Sequence, residues 1–107
     1  MPHYLIRASA TPEYWATLVK NPQNRRDALR PVIEGLGGKL EAFYFAFGED
    51  DVIALLDMPD NVSAAAVAIA VAAGGALRSQ ATTLLMTAEE AMEAMRKAQG
   101  ATYRPPR

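Results

Sequence analysis

An α+β fold, one antiparallel sheet with its helices on one side, is predicted by three observations. Alternating or aromatic-rich runs are separated by helical stretches, a tight acidic turn joins two of those runs directly, and the helical stretches open on recognisable caps. At 107 residues the chain has room for one hydrophobic core and not for two. Residues 1–100 are therefore expected to form a single domain, and 101–107, with Arg104-Pro105-Pro106-Arg107, a flexible tail.

His3 to Ala8 alternates, Tyr4, Ile6 and Ala8 on one side and His3, Leu5 and Arg7 on the other, as a half-buried strand does. Thr11-Pro12 then starts a helix, with proline at the first position where its missing N–H costs nothing. Asn21-Pro22 repeats that signal, and Ala28, Leu29, Val32, Ile33 and Leu36 follow at helical spacing until Gly37-Gly38 ends the run. Pro31 lies inside this pattern and predicts a break or kink near Arg30, because it removes a donor and crowds the preceding turn.

Two strands follow, Lys39 to Phe47 and Asp51 to Asp57, joined through Gly48-Glu49-Asp50. Pro59-Asp60-Asn61 caps an alanine-rich helix whose small side chains allow close approach to a sheet. Ala76 to Met86, rich in Thr and Leu, reads as the fourth strand. Thr87-Ala88-Glu89-Glu90 is a capping box opening a last helix, with acids early and Arg96 and Lys97 late to suit its dipole. The order strand, helix, strand, strand, helix, strand, helix is the ferredoxin-like pattern plus one C-terminal helix. Right-handed crossovers place the first strand between the third and fourth, antiparallel to both.

Composition narrows the function classes. There is no cysteine, which excludes disulfides and thiolate metal sites, and the single histidine makes a zinc site a poor expectation, so no metal is expected. No Gly-rich phosphate loop, nucleophile elbow or two-His motif is present, and no cofactor is expected. Net charge is −1, and Lys20, Arg25, Arg26 and Arg30, diluted by Asp27, form no stripe suited to nucleic acid. The apolar run from Val62 to Ala73 falls short of the roughly 20 residues that span a bilayer, so no membrane partner is expected. The start Met1-Pro2-His3-Tyr4 has no basic, apolar leader pattern, and a cytoplasmic location is the expectation.

Several of these residues carry a family resemblance. The strand opening Pro2-His3-Tyr4, Gly37-Gly38-Lys39-Leu40, the pair Phe43-Tyr44, the turn Gly48-Glu49-Asp50-Asp51 followed by Val52-Ile53, and the Thr87 to Glu90 helix start together resemble the GYD domain family. The family's turn looks like Gly-x-Tyr-Asp, so Gly48 and Asp51 match and Asp50 stands in the tyrosine position. The resemblance implies a ferredoxin-like chain that pairs as a dimeric α+β barrel. That architecture is shared with cofactor-free monooxygenases and lactone isomerases, so activity, if there is any, is expected to be cofactor-free isomerisation or oxygenation.

In such a fold the sheet face without helices is the place to look for chemistry. His3, Leu5 and Arg7 of the first strand and Arg78, Gln80, Thr82 and Leu84 of the fourth are expected there, with Arg78 near Arg7 and the acidic turn at the same end. Two neighbouring arginines need neutralising: either Glu49, Asp50 or Asp51 pairs with them, or they grip a bound carboxylate or phosphate. Arg7, Arg78, Gln80, Asp50 and Asp51 are thus the candidate ligand-binding set for a small, partly apolar anion. His3, the one histidine, and Tyr44, a hydrogen-bond donor, are the catalytic candidates. The alternative is a non-enzymatic interaction module whose open face only forms a homodimer interface, since both sides of the aromatic second strand look buried.

Overall fold

The computed structural model describes residues 1–106. Strand β1 (His3–Ala10) is the hub: its period of two turns Tyr4, Ile6 and Ala8 into the core and leaves Arg7 exposed on the other side. It pairs antiparallel with β3 (Val52–Asp57) on one flank and with β4 (Leu77–Leu85) on the other; β2 (Lys39–Phe45) pairs with β3, giving the order β2-β3-β1-β4. This is the ferredoxin-like arrangement expected from the element order. β2 and β3 are shorter than the sequence reading at the hairpin end, where Phe47 is 98% exposed and the chain leaves the ladder. One further bond, from the Ala46 N–H to the Asp51 carbonyl at 2.8 Å, closes the hairpin.

The helices form as their caps dictate. Thr11 caps α1 (Pro12–Lys20), its hydroxyl accepting the Tyr14 N–H at 3.2 Å. Asp60 caps α3 (Asn61–Ala73) by accepting the Ser63 N–H at 2.7 Å, and this bond holds its carboxyl below the usual range. Thr87 and Glu90 complete the expected capping box of α4 (Ala88–Gln99), and the Thr87 N–H lowers the Glu90 carboxyl in the same way.

Helix α2 (Arg25–Gly35) departs from the sequence reading twice. Its cap is Asn24, whose side chain accepts the Arg26 N–H, so Asn21-Pro22 belongs to the connection between α1 and α2 and starts no helix. Nor does Pro31 break it: the helix runs through to Gly35. Pro31 lies on the exposed side, so the Asp27 carbonyl it leaves without a donor can turn to water. Ile33, wholly buried, and Leu29 and Leu36 anchor the same helix to the core. Its end is a Schellman motif, with the Gly38 N–H on the Ile33 carbonyl, the Gly37 N–H on the Glu34 carbonyl, both at 3.0 Å, and Gly37 at φ +85°.

The core lies between one sheet face and helices α2 and α3, built on Tyr4, Ile6, Leu56, Met58, Ala64 and Val67. The Tyr4 hydroxyl, at the edge of that core, donates to the Asn61 side chain. Gly38 makes room for this packing, since a Cβ there would sit 2.3 Å from Met58 Sδ and 2.6 Å from the Asp57 carbonyl oxygen. Helix α4 buries no residue, and Met92 and Met95 are exposed. The radius of gyration is 17.1 Å, against about 13 Å for a compact domain of this length. Residues 101–106 carry no helix or strand, and Arg107 lies outside the described residues. No helix among the described residues is long and apolar enough to cross a membrane.

Candidate functional site

The strand register decides which candidate residues share a surface. Facing residues across an antiparallel pair lie on one side of the sheet, so the open face consists of three rows. They are Tyr44, Ile53, Arg7 and Ala81; then Ala42, Leu55, Leu5 and Thr83; then Lys39, Asp57, His3 and Leu85. The centre is apolar and partly exposed, and charged or hydrogen-bonding groups stand at its two ends.

The fourth strand presents the other set of residues to this face from the one the sequence suggested. Gln80 faces Ala8, and Thr82 and Leu84 face Ile6 and Tyr4, so all three belong to the helix side. Gln80 Nε2 donates to the Ala68 carbonyl of α3 at 2.6 Å, tying β4 to that helix, and its buried Oε1 has no partner among the described residues. Arg78 lies in a β-bulge opposite Ala10, three residues along β4 from Ala81, which is the residue Arg7 faces. Arg7 and Arg78 therefore do not form a pair. Neither makes an ion pair with Glu49, Asp50 or Asp51 among the described residues.

The acidic turn is occupied with the end of β1. Asp51 accepts the Ala10 N–H at 2.9 Å through its carboxylate and donates its own N–H to the Ala8 carbonyl at 2.8 Å. The Ser9 hydroxyl donates to the Glu49 carbonyl at 2.8 Å. Asp50 enters no side-chain hydrogen bond or ion pair among the described residues. Adjacent aspartates of one turn thus have different surroundings.

His3 hydrogen-bonds through Nδ1 to Asp57 Oδ1, and its Nε2 has no partner among the described residues. Burial acts to raise the Asp57 carboxyl, but the His3 bond, together with Glu41 and the positive charge of the N-terminus, holds it below the usual range. Glu41 stands beside this pair at a second bulge and meets Lys39 Nζ at 3.4 Å. Tyr44 is 63% exposed and lies two strands away from His3 at the opposite end of the face, so the two catalytic candidates are not brought together. Asp57 was missed in the sequence because its partner is 54 residues distant and only the register reveals it. No group of three or more His, Cys, Asp or Glu side chains among the described residues is arranged to hold a metal.

On the other side of the sheet, under α2 and α3, is a chamber of about 290 Å³. Ile6, Ala8, Leu29, Val32, Phe43 and Val71 are among its walls, and Arg25 is the one charged residue lining it among the described residues. A second recess of about 290 Å³ adjoins it and shares Tyr14, Arg25, Gly74 and Ala76. In the sequence Arg25 is one of four bases that form no stripe suited to nucleic acid. Its position at the first turn, with Ala28, Leu29 and Val32 following on one helix side, is the signal that connects it to an apolar space.

The GYD domain family model matches residues 4–95, which takes in the hairpin and all of the four strands but His3. The chain belongs to the GYD domain family. Among curated proteins none matches the sequence of this GYD domain. Among solved structures, MtbAldR superposes with a TM-score of 0.58 at 14% identity over 80% of this chain. The chain spans about half of MtbAldR, 53% of its length, and the likeness is one of fold. An uncharacterized NIPSNAP domain protein from Burkholderia xenovorans superposes at a TM-score of 0.47 and 15% identity, over 82% of this chain and 95% of that one. In this GYD domain the aspartate of the family turn, Asp51, is the one that binds the end of β1.

Proposed function

We propose that this GYD domain is a homodimerising module whose open sheet face packs against that of a second copy. One observation carries the reading: an apolar centre of Leu5, Ile53, Leu55 and Ala42 lies between Arg7, which has no ion-pair partner among the described residues, at one end and the acids Asp57 and Glu41, already paired with His3 and Lys39, at the other. A two-fold axis crossing the strands lays the Arg7 end of one copy over the carboxylate end of the other. Each copy's cation then meets the other's acids while the apolar centres are buried together, which is the anatomy of a self-complementary interface. The exposed Met92 and Met95 of the projecting α4 add apolar surface that its own chain leaves uncovered.

A small anion held on the same face is the weaker reading, because the grip would have needed Arg78 beside Arg7. Equilibrium sedimentation tests the dimer. The wild type is expected at the mass of two chains, and Leu55→Glu, at the centre of the face, at the mass of one with its circular dichroism spectrum kept. A monomeric wild type at about 100 μM, far above the Kd of an ordinary stable interface, would overturn the proposal, as would a dimer that survives Leu55→Glu.

A further inference from the structure

The chamber under α2 and α3 lies on the opposite side of the sheet from the proposed dimer face, and its chemistry is different. Small residues line it, Ala54 buried in the floor and Ala28 on α2, Ala70 on α3 and Gly74 at its end exposed along the opening. At about 290 Å³ it is at the lower end of cavities that hold small molecules. The walls are apolar, so the body of any occupant is hydrocarbon.

Arg25 gives the occupant a second feature. It is half-buried at the junction of the chamber with the outer recess, and its Nη1 donates to the neutral Gln23 Oε1 at 2.8 Å. No carboxylate among the described residues comes within 4.0 Å of it. A guanidinium at the mouth of an apolar space, with only a neutral partner among the described residues, is open to an anion, which it can bind through two parallel N–H donors. Tyr14 lines both spaces and adds a phenol at the same junction. Glu13 lines the outer recess and penalises a second negative charge there.

We propose that this chamber binds a compact apolar monocarboxylate, with the carboxyl group at Arg25 and the hydrocarbon in the chamber. The proposal moves the anion expected from the sequence to the helix side of the sheet and to Arg25 in place of Arg7 and Arg78. It is independent of the dimer interface, since β1 turns Ile6 and Ala8 to the chamber and Leu5 and Arg7 to the open face.

Titration of the isotope-labelled protein with hexanoate, hexanamide and hexyl phosphate, followed by amide NMR shifts, tests the proposal. Hexanoate is expected to move the amides of Leu29, Phe43, Val71 and Ala76 and to bind more tightly than hexanamide or hexyl phosphate. Arg25→Gln should weaken hexanoate about tenfold or more and leave hexanamide unchanged, as loss of a charged hydrogen bond requires. Ala70→Phe should abolish binding of both, and Ala28→Leu gives the same reading from the other wall if Ala70→Phe does not fold. Absence of millimolar hexanoate binding overturns the proposal. So do shifts confined to His3, Leu5 and Arg7, undiminished hexanoate binding by Arg25→Gln, or tighter binding of the phosphate.

Discussion

His3 and Asp57 face each other across the β1–β3 ladder, and the imidazole Nδ1 meets the carboxylate Oδ1. Because the folded chain holds the Asp57 carboxyl below the usual range, the pair adds stability above the unfolded carboxyl value of about 3.9 and loses it as pH falls through the folded value. Asp57→Asn is therefore expected to lower stability at pH 7 by no more than about 1 kcal/mol, since the pair is partly exposed. Urea unfolding at pH 7, 5 and 3 should show the gap from wild type closing at pH 3. A gap that widened in acid would contradict this account.

Asp50 and Asp51 offer a direct comparison within one turn. Asp51→Ala removes the acceptor of the Ala10 N–H and is expected to cost about 1–2 kcal/mol. Asp50→Ala should stay within about 0.5 kcal/mol of wild type. Chemical denaturation of the two variants side by side checks both, and equal losses would mean that Asp51 does not hold the strand end.

Two glycines should respond in opposite directions. Gly38→Ala forces a Cβ against Met58 Sδ and the Asp57 carbonyl, and a backbone oxygen in a ladder cannot step aside. A loss of about 2 kcal/mol or more is expected, as for overpacked sites. Gly35 ends α2 with nothing within 4 Å of the new Cβ, so Gly35→Ala should stabilise by about 0.4–1 kcal/mol through the unfolded chain. Thermal melts of the two proteins settle the signs.

Pro31 carries a cost that can be recovered. Pro31→Ala restores a donor for the Asp27 carbonyl at an exposed position, and stability is expected to rise by about 1 kcal/mol or more. A fall in the melting temperature would show that the proline is favourable in α2 for a reason other than helix hydrogen bonding.

The element order was legible, apart from the division of the first helical stretch into α1 and α2, because its signals are local. Thr11, Asp60 and Thr87 cap where their side chains can reach nearby amides, and a cap needs only four residues to be recognised. Pro31 misled for the same reason: the helix tolerates it through the burial of Ile33 and the exposure of Asp27, neither of which is local in sequence. The site was harder to read. β4 runs Arg78-Ser79-Gln80-Ala81-Thr82-Thr83 with no clear alternation, since an edge strand has both sides partly wet, and its face was assignable only from the ladder. The bulges at Arg78 and Glu41 each add a residue that no periodicity announces. Arg25 looked like one of several surface bases until the helix placed it at the rim of an apolar space.

The alternation along β1 has a consequence for how the chain tolerates change. Ile6 and Ala8 belong to one compartment and Leu5 and Arg7 to another, with a single thickness of backbone as the partition. A substitution at one position reshapes one compartment and spares its neighbour. A one-residue slip of β1 against β3 and β4 would exchange the tenants of both at a stroke, delivering a guanidinium to the hydrocarbon interior and isoleucine to the outside. The strand can drift residue by residue, but its register is locked.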